Sequence, residues 1–410
     1  MADEALGSSG FGGQKRAREG APVPMSEMAT TSLSEQSLRE ILVDLATEAR
    51  RRRFDVAPNP CVGAAVIAGG QVLARGFHEH WGGPHAEVEA LRAARASGVG
   101  PENWEALVVT LEPCSTTGKT PPCTEAILQS GIKRVIVGAL DPDPRHRGAG
   151  LRLLQEAGIE VEFVPRASEL ERTAPHFLRW VDIDRQRRPR PWTIAKWAQT
   201  RSGQLSPPPQ VGGGRWISGP QSLREVQLLR GRVDAIVSGV TTVLHDDPRF
   251  TVRPPGDPSK PPLRVILDSY LRTPTDCKLF APPGPGEGAG EVHILCQAGA
   301  NAARHRALEA VGAKVTGLHS SEEDHVALRD VQEWLWHKGV RRVLLEAGPQ
   351  LLSRHLEAGF VDQVRVYTGD VMGGEGPTMA PWFSRMKLAE RLDREVAADS
   401  VLESFVLQSE

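Results

Sequence analysis

Three side chains that bind soft metal ions stand well apart in this sequence, and each lies beside an expected element boundary. His85 precedes a helical stretch that includes Glu87, Cys114 follows an apolar strand-like run, and Cys123 follows two prolines that suit a helix start. One His and two Cys can hold a zinc ion and leave its fourth position to water. A fold that uses these ligands together has to bring one strand end and two helix starts to the same point.

Glu87, two residues after His85, is a carboxylate placed to move protons at such a site. His-x-Glu followed by Pro-Cys and a further Cys is the signature of zinc-dependent base deaminases, and an open zinc site of this kind is hydrolytic. The alternative is a closed structural site, which needs a fourth His or Cys ligand. The candidates for that ligand are Cys61, His78, His80, Cys277 and Cys296. We predict the open, catalytic site.

The apolar pattern alternates between helix and strand along most of the chain. It gives a helix from Leu38, a hairpin at Gly69-Gly70 and then strands separated by helices, an order typical of a largely parallel sheet with helices on both faces. A second strand-helix series begins at Trp192, which indicates a second α/β domain. The predicted divisions are a disordered tail at 1–32, a first domain at 33–183, a charged, proline-bearing linker at 184–191 and a second domain at 192–410.

Composition narrows the class of function. The chain has 410 residues, more than one hydrophobic core usually organises, and its net charge of −2 gives no support for binding nucleic acid. Five cysteines are too few for a disulfide framework, and no apolar run reaches the ~20 residues that cross a bilayer. We therefore expect a cytoplasmic protein with a small-molecule substrate and with neither a nucleic-acid nor a membrane partner.

The residues around the metal ligands resemble a known family. The runs Pro58-Asn59-Pro60-Cys61-Val62-Gly63, Gly82-Gly83-Pro84-His85-Ala86-Glu87-Val88 and Glu112-Pro113-Cys114 are similar to the deaminase half of the bifunctional riboflavin-biosynthesis deaminase/reductases. Eight residues, including Gly118-Lys119-Thr120-Pro121-Pro122, separate Cys114 from Cys123. Cytidine and tRNA-adenosine deaminases usually have only two residues between these cysteines. A further alternative, a deaminase that acts on free or RNA-borne bases, therefore fits the sequence less well.

The second domain resembles the reductase half of the same family, whose fold is similar to dihydrofolate reductase. The resemblance rests on Val233-Asp234-Ala235-Ile236, on Gly239-Val240-Thr241-Thr242-Val243 and on the run that begins Asp246-Asp247-Pro248. It implies a cytidine-deaminase-like αβα domain followed by a dihydrofolate-reductase-like α/β domain. It also implies zinc-dependent deamination of a diaminopyrimidinone that carries a ribosylamino 5'-phosphate, and then NADPH-dependent reduction of the ribosyl chain to ribityl. We expect a homo-oligomer, and the sequence leaves the subunit number open.

The resemblance also implies the residues that bind substrate and cofactor. In the deaminase, Asn59 and His78 would bind the pyrimidine edge and Lys119 the phosphate. In the reductase, the substrate residues would be Lys196, Ser218, Arg230, Arg253 and Glu346, and the cofactor residues Gly239, Thr242, Asp246 and Gly348. Lys196 and Arg253 are expected to provide cations for the phosphate. Two alternatives stay open: Arg230 as a helix C-terminal charge and Ser218 as a helix cap.

The chain departs from the family pattern mainly in the second domain. Thr116 replaces a usual His in the deaminase, whereas every zinc ligand remains. In the reductase the usual Ser-Leu-Asp-Gly is Thr200-Arg201-Ser202-Gly203, which loses a carboxylate, and the usual Glu-Gly-Gly is Glu346-Ala347-Gly348. We therefore expect either two working enzymes, with these substitutions tolerated, or a deaminase whose degenerate second domain serves binding or assembly.

Overall fold

The computed structural model describes residues 33–164, 175–181, 190–209, 217–319 and 325–407. The predicted tail at 1–32 and most of the predicted linker at 184–191 lie outside these ranges. Two separate sheets organise the described residues, one of five strands and one of nine. Among these residues no helix is both long enough and apolar enough to span a bilayer.

The first sheet is mixed rather than largely parallel. Its strands are β1 (Gly63–Ala68), β2 (Gln71–Phe77), β3 (Ala106–Val109), β4 (Arg134–Val137) and β5 (Glu160–Phe163). Their order is β2-β1-β3-β4-β5, and β1 runs antiparallel to both neighbours. Only β3, β4 and β5 are parallel. The predicted hairpin forms at Gly69 and Gly70, both of which have positive φ, as a tight reversal requires.

Helices cover both faces of this sheet, as the sequence predicts. They are α1 (Glu35–Ala49), α2 (Arg53–Val56), α3 (Ala86–Ala96), α4 (Cys123–Leu128) and α5 (Ala149–Glu156). Ser34 caps α1, and Leu38, Leu42 and Leu45 recur at helical spacing to pack on one face of the sheet. Buried residues of α3, α4 and α5 form a second apolar cluster with strand side chains. The ends of α3 and α4 that carry His85 and Cys123 are thereby fixed to the sheet.

The second sheet is parallel through seven strands and ends in an antiparallel hairpin. Its strands are β6 (Trp192–Gln199), β7 (Ala235–Gly239), β8 (Leu263–Leu267), β9 (Val292–Gln297), β10 (Lys314–Leu318), β11 (Arg342–Leu345), β12 (Gln363–Thr368), β13 (Lys387–Val396) and β14 (Asp399–Leu407). They lie in the order β10-β9-β8-β7-β11-β6-β12-β14-β13. The remaining helices are α6 (Pro175–Val181), which precedes this sheet, and α7 (Pro220–Arg230), α8 (Val240–Asp246), α9 (Ala302–Ala310), α10 (Leu328–His337), α11 (Pro349–Glu357) and α12 (Ala380–Phe383).

Sequence patterns predict β6 to β12 but miss the hairpin of β13 and β14. Its turn contains Ala397 at φ 56°, where glycine or asparagine would have signalled a reversal. Six of the ten residues of β13 are charged, so the strand has no continuous apolar run that would predict it. The hairpin adds Phe405 to a buried cluster that also contains Phe54 of the first domain and Trp192.

The first domain packs against the amino ends of the parallel strands of the second sheet. Arg342, the first residue of β11, is fully buried and donates hydrogen bonds to the carbonyls of Asp55 at 2.8 Å and Phe54 at 3.2 Å. The predicted reductase residues Gly239 and Glu346 lie at the opposite, carboxyl ends of β7 and β11. Ligands of open α/β sheets bind at the carboxyl ends of strands. The first domain, which carries the metal ligands, therefore lies at the amino ends of these strands, and the candidate reductase residues lie at their carboxyl ends.

Candidate active sites

His85, Cys114 and Cys123 converge at one point of the first domain. His85 is the N-cap of α3, Cys123 is the first residue of α4, and Cys114 lies in the loop after β3. His85 Nδ1 is 3.2 Å from Cys123 Sγ and 3.5 Å from Cys114 Sγ, and all the ligand atoms lie within 4.8 Å of one another. Ligands of one tetrahedral zinc lie roughly 3.5–4 Å apart. The donor set and its spacing fit a zinc ion, and within the described ranges no fourth His, Cys or carboxylate joins this group.

The surroundings of Cys114 favour its thiolate form. The hydrogen bond from the Cys123 thiol lowers the pKa of Cys114 to about 4, against the effect of burial, and His85 adds to this effect. The backbone N–H of Cys123 also donates to Cys114 Sγ, at 3.2 Å. The same shared proton, together with burial, raises the pKa of Cys123. The protein therefore favours one thiolate next to one thiol, a pair that metal binding can deprotonate completely.

Glu87 and Glu112 are both buried acids near this centre, but they have different surroundings. Glu87, in the first turn of α3, is only 3% exposed; burial raises the pKa of its carboxyl, and the neighbouring His85 charge opposes this shift. Glu112 accepts backbone N–H bonds from Asp141 at 3.1 Å, Gly148 at 2.8 Å and Gly150 at 3.0 Å. Glu112 thus holds the loop before α5, whereas Glu87 is the carboxyl next to the ligands.

His78 lies beside the metal ligand His85, and Asn59 is hydrogen-bonded to His78. The His78 ring is edge-on to His85 at 5.1 Å between centroids. His78 Nδ1–H donates to the Pro84 carbonyl at 2.9 Å, so Nε2 accepts from the Asn59 amide at 3.1 Å. Burial lowers the pKa of His78 to about 3, which keeps the ring neutral. This chain of bonds leaves the Asn59 side-chain carbonyl to accept a hydrogen bond from a bound ring.

Lys119 has a partner that sequence reasoning missed. It lies in the loop between Cys114 and Cys123 and forms an ion pair with Asp234 of the second domain. Its Nζ is also 3.9 Å from the centroid of the Trp81 ring. Asp234 belongs to the Val233–Ile236 motif on which the family resemblance rests, but the residues around it do not predict a contact with the first domain. The side chain of Lys119 stays about half exposed.

Lys196, Arg230 and Glu346 form the polar centre of the second domain. Arg230 lies in the last turn of α7, as the alternative assignment assumed, but its guanidinium binds both oxygens of Glu346, at 2.7 and 2.9 Å. Burial would raise the pKa of Glu346, yet the charges of Arg230 and Lys196 lower it. Burial lowers the pKa of Lys196, and Glu346 only partly offsets this effect. The three side chains form one interacting group of charges.

Four other predicted residues of the second domain lie around this centre. The Gly348 N–H donates to Thr242 Oγ1 at 3.2 Å, Gly239 caps α8, and Gly348 caps α11. The bond between Gly348 and Thr242 thus joins the starts of α8 and α11. The Arg253 N–H donates to Gln227 on α7 at 2.9 Å, one turn before Arg230.

Ser218 and Asp246 are less clearly placed. Gly219, not Ser218, is the N-cap of α7, so the alternative that Ser218 caps this helix is wrong. Asp246 is exposed at the end of α8. Across the described contacts, none joins Ser218 or Asp246 to the pair of Arg230 and Glu346.

The substitutions relative to the family have structural roles here. Ser202 Oγ accepts from Gly373 N–H at 2.9 Å and donates to its carbonyl at 3.3 Å. Arg201 forms an ion pair with Asp370. Ser202 and Arg201 thus connect the segment after β12 to the turn that follows β6. Ala347 packs its methyl group against an apolar cluster, so this methyl has a place in the fold.

Two protein-family models match the chain and divide it as the two sheets do. The model for the cytidine and deoxycytidylate deaminase zinc-binding region matches residues 36–139, which include all three metal ligands. The model for the RibD C-terminal domain matches residues 191–390, which include the centre formed by Lys196, Arg230 and Glu346.

Curated relatives and solved structures resemble the chain over most of its length. The riboflavin biosynthesis protein RibD of Aquifex aeolicus (strain VF5) is 36% identical, over 80% of this chain and 85% of that protein. RibD of Escherichia coli (strain K12) is 33% identical, over 78% and 84%. The Acinetobacter baumannii RibD structure aligns with a TM-score of 0.60 at 27% identity, over 92% of this chain and 100% of that chain. A Thermotoga maritima structure, described as a diaminohydroxyphosphoribosylaminopyrimidine deaminase/5-amino-6-(5-phosphoribosylamino)uracil reductase, gives 0.59 at 27% identity, over 91% and 99%.

Proposed function

Because this chain belongs to the RibD family of riboflavin biosynthesis proteins, whose deaminase and reductase activities it shares, we propose that its two sites act in turn on one phosphorylated ribosylaminopyrimidine. The hypothesis of a degenerate second domain is not retained. The observation that carries the proposal is the convergence of His85, Cys114 and Cys123 with the buried carboxyl of Glu87 beside them. The first product, an amino-uracil phosphate, is then the substrate of the second site.

The first site is proposed to replace a ring amino group by oxygen, with water consumed and ammonia released. When bound, zinc supplies the Lewis acidity that makes water a nucleophile near neutral pH. Asn59 is proposed to bind the pyrimidine edge, held in place by the neutral ring of His78. Glu87 is proposed to move both protons of the water in turn, the first to the ring nitrogen and the second, from the added hydroxyl, to the departing amino group. Lys119 binds the phosphate as a half-exposed cation.

The second site is proposed to open the ribosyl ring. When bound, NADPH supplies a hydride for the anomeric carbon, the bond from this carbon to the ring oxygen breaks, and the ring oxygen takes a proton. Lys196 is placed to give that proton, because its pKa is lowered and Glu346 is close. Arg230 and Glu346 bind the sugar hydroxyls, whereas the half-exposed Arg253 suits the phosphate better than Lys196 does. Gly239, Thr242, Asp246 and Gly348 are the proposed cofactor residues, and Ser218 is kept as a substrate residue.

The finer statements about partners and organisation are also proposals. We propose domains at 33–183 and 192–410, a cytoplasmic location and no nucleic-acid partner, the last supported by the net charge of −2. We further propose a homo-oligomer. In its support, Leu128 on α4, Leu153 on α5 and Phe163 on the edge strand β5 are each about 45% exposed, and a second copy can cover exposed apolar side chains and an open strand edge.

The proposal is tested by giving purified, zinc-loaded protein the pyrimidine phosphate and following ammonia release and NADPH oxidation separately. We expect ammonia release without NADPH, and NADPH oxidation only after ammonia has formed. Ammonia release with no NADPH oxidation on the deaminated product would contradict the proposed second step. NADPH oxidation before any deamination would contradict the proposed order.

A further inference from the structure

The loop that carries Lys119 contacts the loop that leads to His85. Lys119 lies over the Trp81 ring, and a side chain at Gly82 would approach Lys119 Cδ to 3.2 Å. Gly82 has φ 79°, a conformation that favours glycine. Trp81 is only 7% exposed, and its backbone N–H donates to the Asp55 carbonyl at 3.0 Å. The aliphatic stem of Lys119 therefore rests on a fixed surface, while its ammonium group reaches the domain boundary.

Asp234 meets this ammonium group from the second domain, and its own position is fixed by backbone. Its Oδ2 accepts the N–H groups of Arg341 at 2.8 Å and Arg342 at 3.0 Å, at the start of β11. Its Oδ1 is left for Lys119. A carboxylate held by two main-chain donors cannot move far, so the partner of Lys119 is rigid.

The strand that holds Asp234 is itself anchored to the first domain. Arg342 is fully buried, and its guanidinium donates to the carbonyls of Phe54 and Asp55. These carbonyls precede the turn that presents Asn59. The second domain thus contacts the segment that leads to Asn59 through Arg342, and the loop that carries Lys119 through Asp234.

We propose that Asp234 is a positioning residue for the deaminase: it orients Lys119 toward the substrate phosphate, so that the reductase domain completes the deaminase site of its own chain. A lysine ammonium has three donors, and one bond to Asp234 leaves the others for a phosphate. Fixing this long side chain before substrate arrives removes an ordering cost from binding. The inference rests on the proposed function, in which Lys119 binds the phosphate.

Asp234→Asn tests the inference, because an amide oxygen still accepts the two N–H bonds of β11 while the charge that holds Lys119 is lost. Since half-exposed ion pairs contribute modestly, we expect the KM of ammonia release to rise about fivefold and kcat to stay within about twofold. NADPH oxidation with deaminated substrate should not change. An unchanged or lower KM for ammonia release would overturn the inference, the lower value meaning that Asp234 competes with phosphate for Lys119.

A matched control is Glu291→Gln, which breaks a lysine-carboxylate pair of the same kind in the same domain: Glu291 lies just before β9, and its partner Lys314, at 2.6 Å, is on β10. It should leave both KM values unchanged. If Asp234→Asn does not fold, as judged by thermal unfolding, Asp234→Ser retains an acceptor for the β11 amides and gives the same comparison.

The Lys119→Met variant separates this inference from the proposed function. If Lys119→Met leaves the KM of ammonia release unchanged, the phosphate role of Lys119 fails. If Lys119→Met raises the KM but Asp234→Asn does not, only the positioning role fails. In the double variant the effect of Asp234→Asn should disappear, because its only route to the substrate is through Lys119. If Asp234→Asn raised the KM of ammonia release by the same factor with and without Lys119→Met, that route would be contradicted.

Discussion

Arg230 at the end of α7 and Glu346 just after β11 are joined by two parallel hydrogen bonds, at 2.7 and 2.9 Å. Both side chains are almost fully buried, at 12% and 11% exposed. The planar guanidinium matches the carboxylate in a way that lysine cannot. A third hydrogen bond, from Arg230 to the Thr251 carbonyl at 3.2 Å, fixes the guanidinium further. The pair therefore presents Glu346 to the second site in one orientation.

Arg230→Met should damage the reductase and leave the deaminase working. Removing one partner of a buried pair leaves the other charge unpaired, and we expect the free energy of unfolding to fall by about 3 kcal/mol. NADPH oxidation on deaminated substrate should fall at least about tenfold, because Glu346 loses its orientation. Chemical denaturation and the two activity assays measure these effects. NADPH oxidation at the normal rate would show that the pair is only structural.

Glu87→Gln should stop ammonia release without loss of zinc. The amide keeps the size of the side chain but cannot accept and return a proton, so we expect kcat to fall at least about a hundredfold. Metal analysis should still find one zinc per chain, since Glu87 is not among the three ligands. NADPH oxidation on deaminated substrate is the internal control. Normal ammonia release would remove Glu87 from the proton path.

Removal of zinc by a chelator should separate the two activities. The three candidate ligands all lie between residues 85 and 123, within the first domain. Ammonia release should therefore stop and return when zinc is added, while NADPH oxidation on deaminated substrate continues. Free-thiol titration should find Cys114 and Cys123 reactive only after chelation. Loss of NADPH oxidation on chelation would mean that the second site also depends on the metal.

Ser202→Asp, which restores the usual family residue, should not raise NADPH oxidation. Ser202 Oγ both accepts from and donates to Gly373, and a carboxylate can accept but cannot donate to the Gly373 carbonyl. We expect a loss of about 1 kcal/mol in the free energy of unfolding. Ser202→Ala, which loses both bonds without adding charge, is the comparison. A gain in reductase rate in the aspartate variant would show that the missing carboxylate limits this enzyme.

His355 should make the protein less stable in mild acid. It is buried on α11, where burial lowers its pKa from 6.5 to about 4, and its Nδ1 contacts the Leu351 carbonyl at 2.8 Å. Between pH 6.5 and about 4 the unfolded state therefore binds a proton at His355 that the folded state does not bind. Stability from this group is complete above pH 6.5 and falls between pH 6.5 and about 4, by about 3 kcal/mol in total.

The measurement for His355 is chemical denaturation at several pH values in the parent chain and in His355→Gln. In the glutamine variant the free energy of unfolding should lack the decrease at low pH that comes from protonation of His355. The difference in free energy of unfolding between the parent chain and the variant should therefore become smaller as the pH falls. Parallel curves would show that His355 titrates normally in the fold.

Many features of the first site could be predicted from sequence because they are local. His85 and Glu87 are two residues apart, and Cys114 and Cys123 stand within one loop and one helix start. The Gly69-Gly70 hairpin follows from residues that tolerate positive φ. These patterns depend on backbone preferences and donor chemistry over a few residues. They determine the metal site, the helix starts that carry it and most strands of both sheets.

The tertiary structure alone decided which distant charges meet. Lys119 pairs with Asp234, 115 residues away, and Arg230 pairs with Glu346, 116 residues away. No local preference encodes such a pairing, since each residue alone reads as an ordinary surface charge or helix end. The mixed first sheet and the hairpin turn at Ala397 were likewise decided by packing against neighbouring strands. Sequence determined the chemistry of the metal ligands, and the fold decided that the second domain reaches the loop between them.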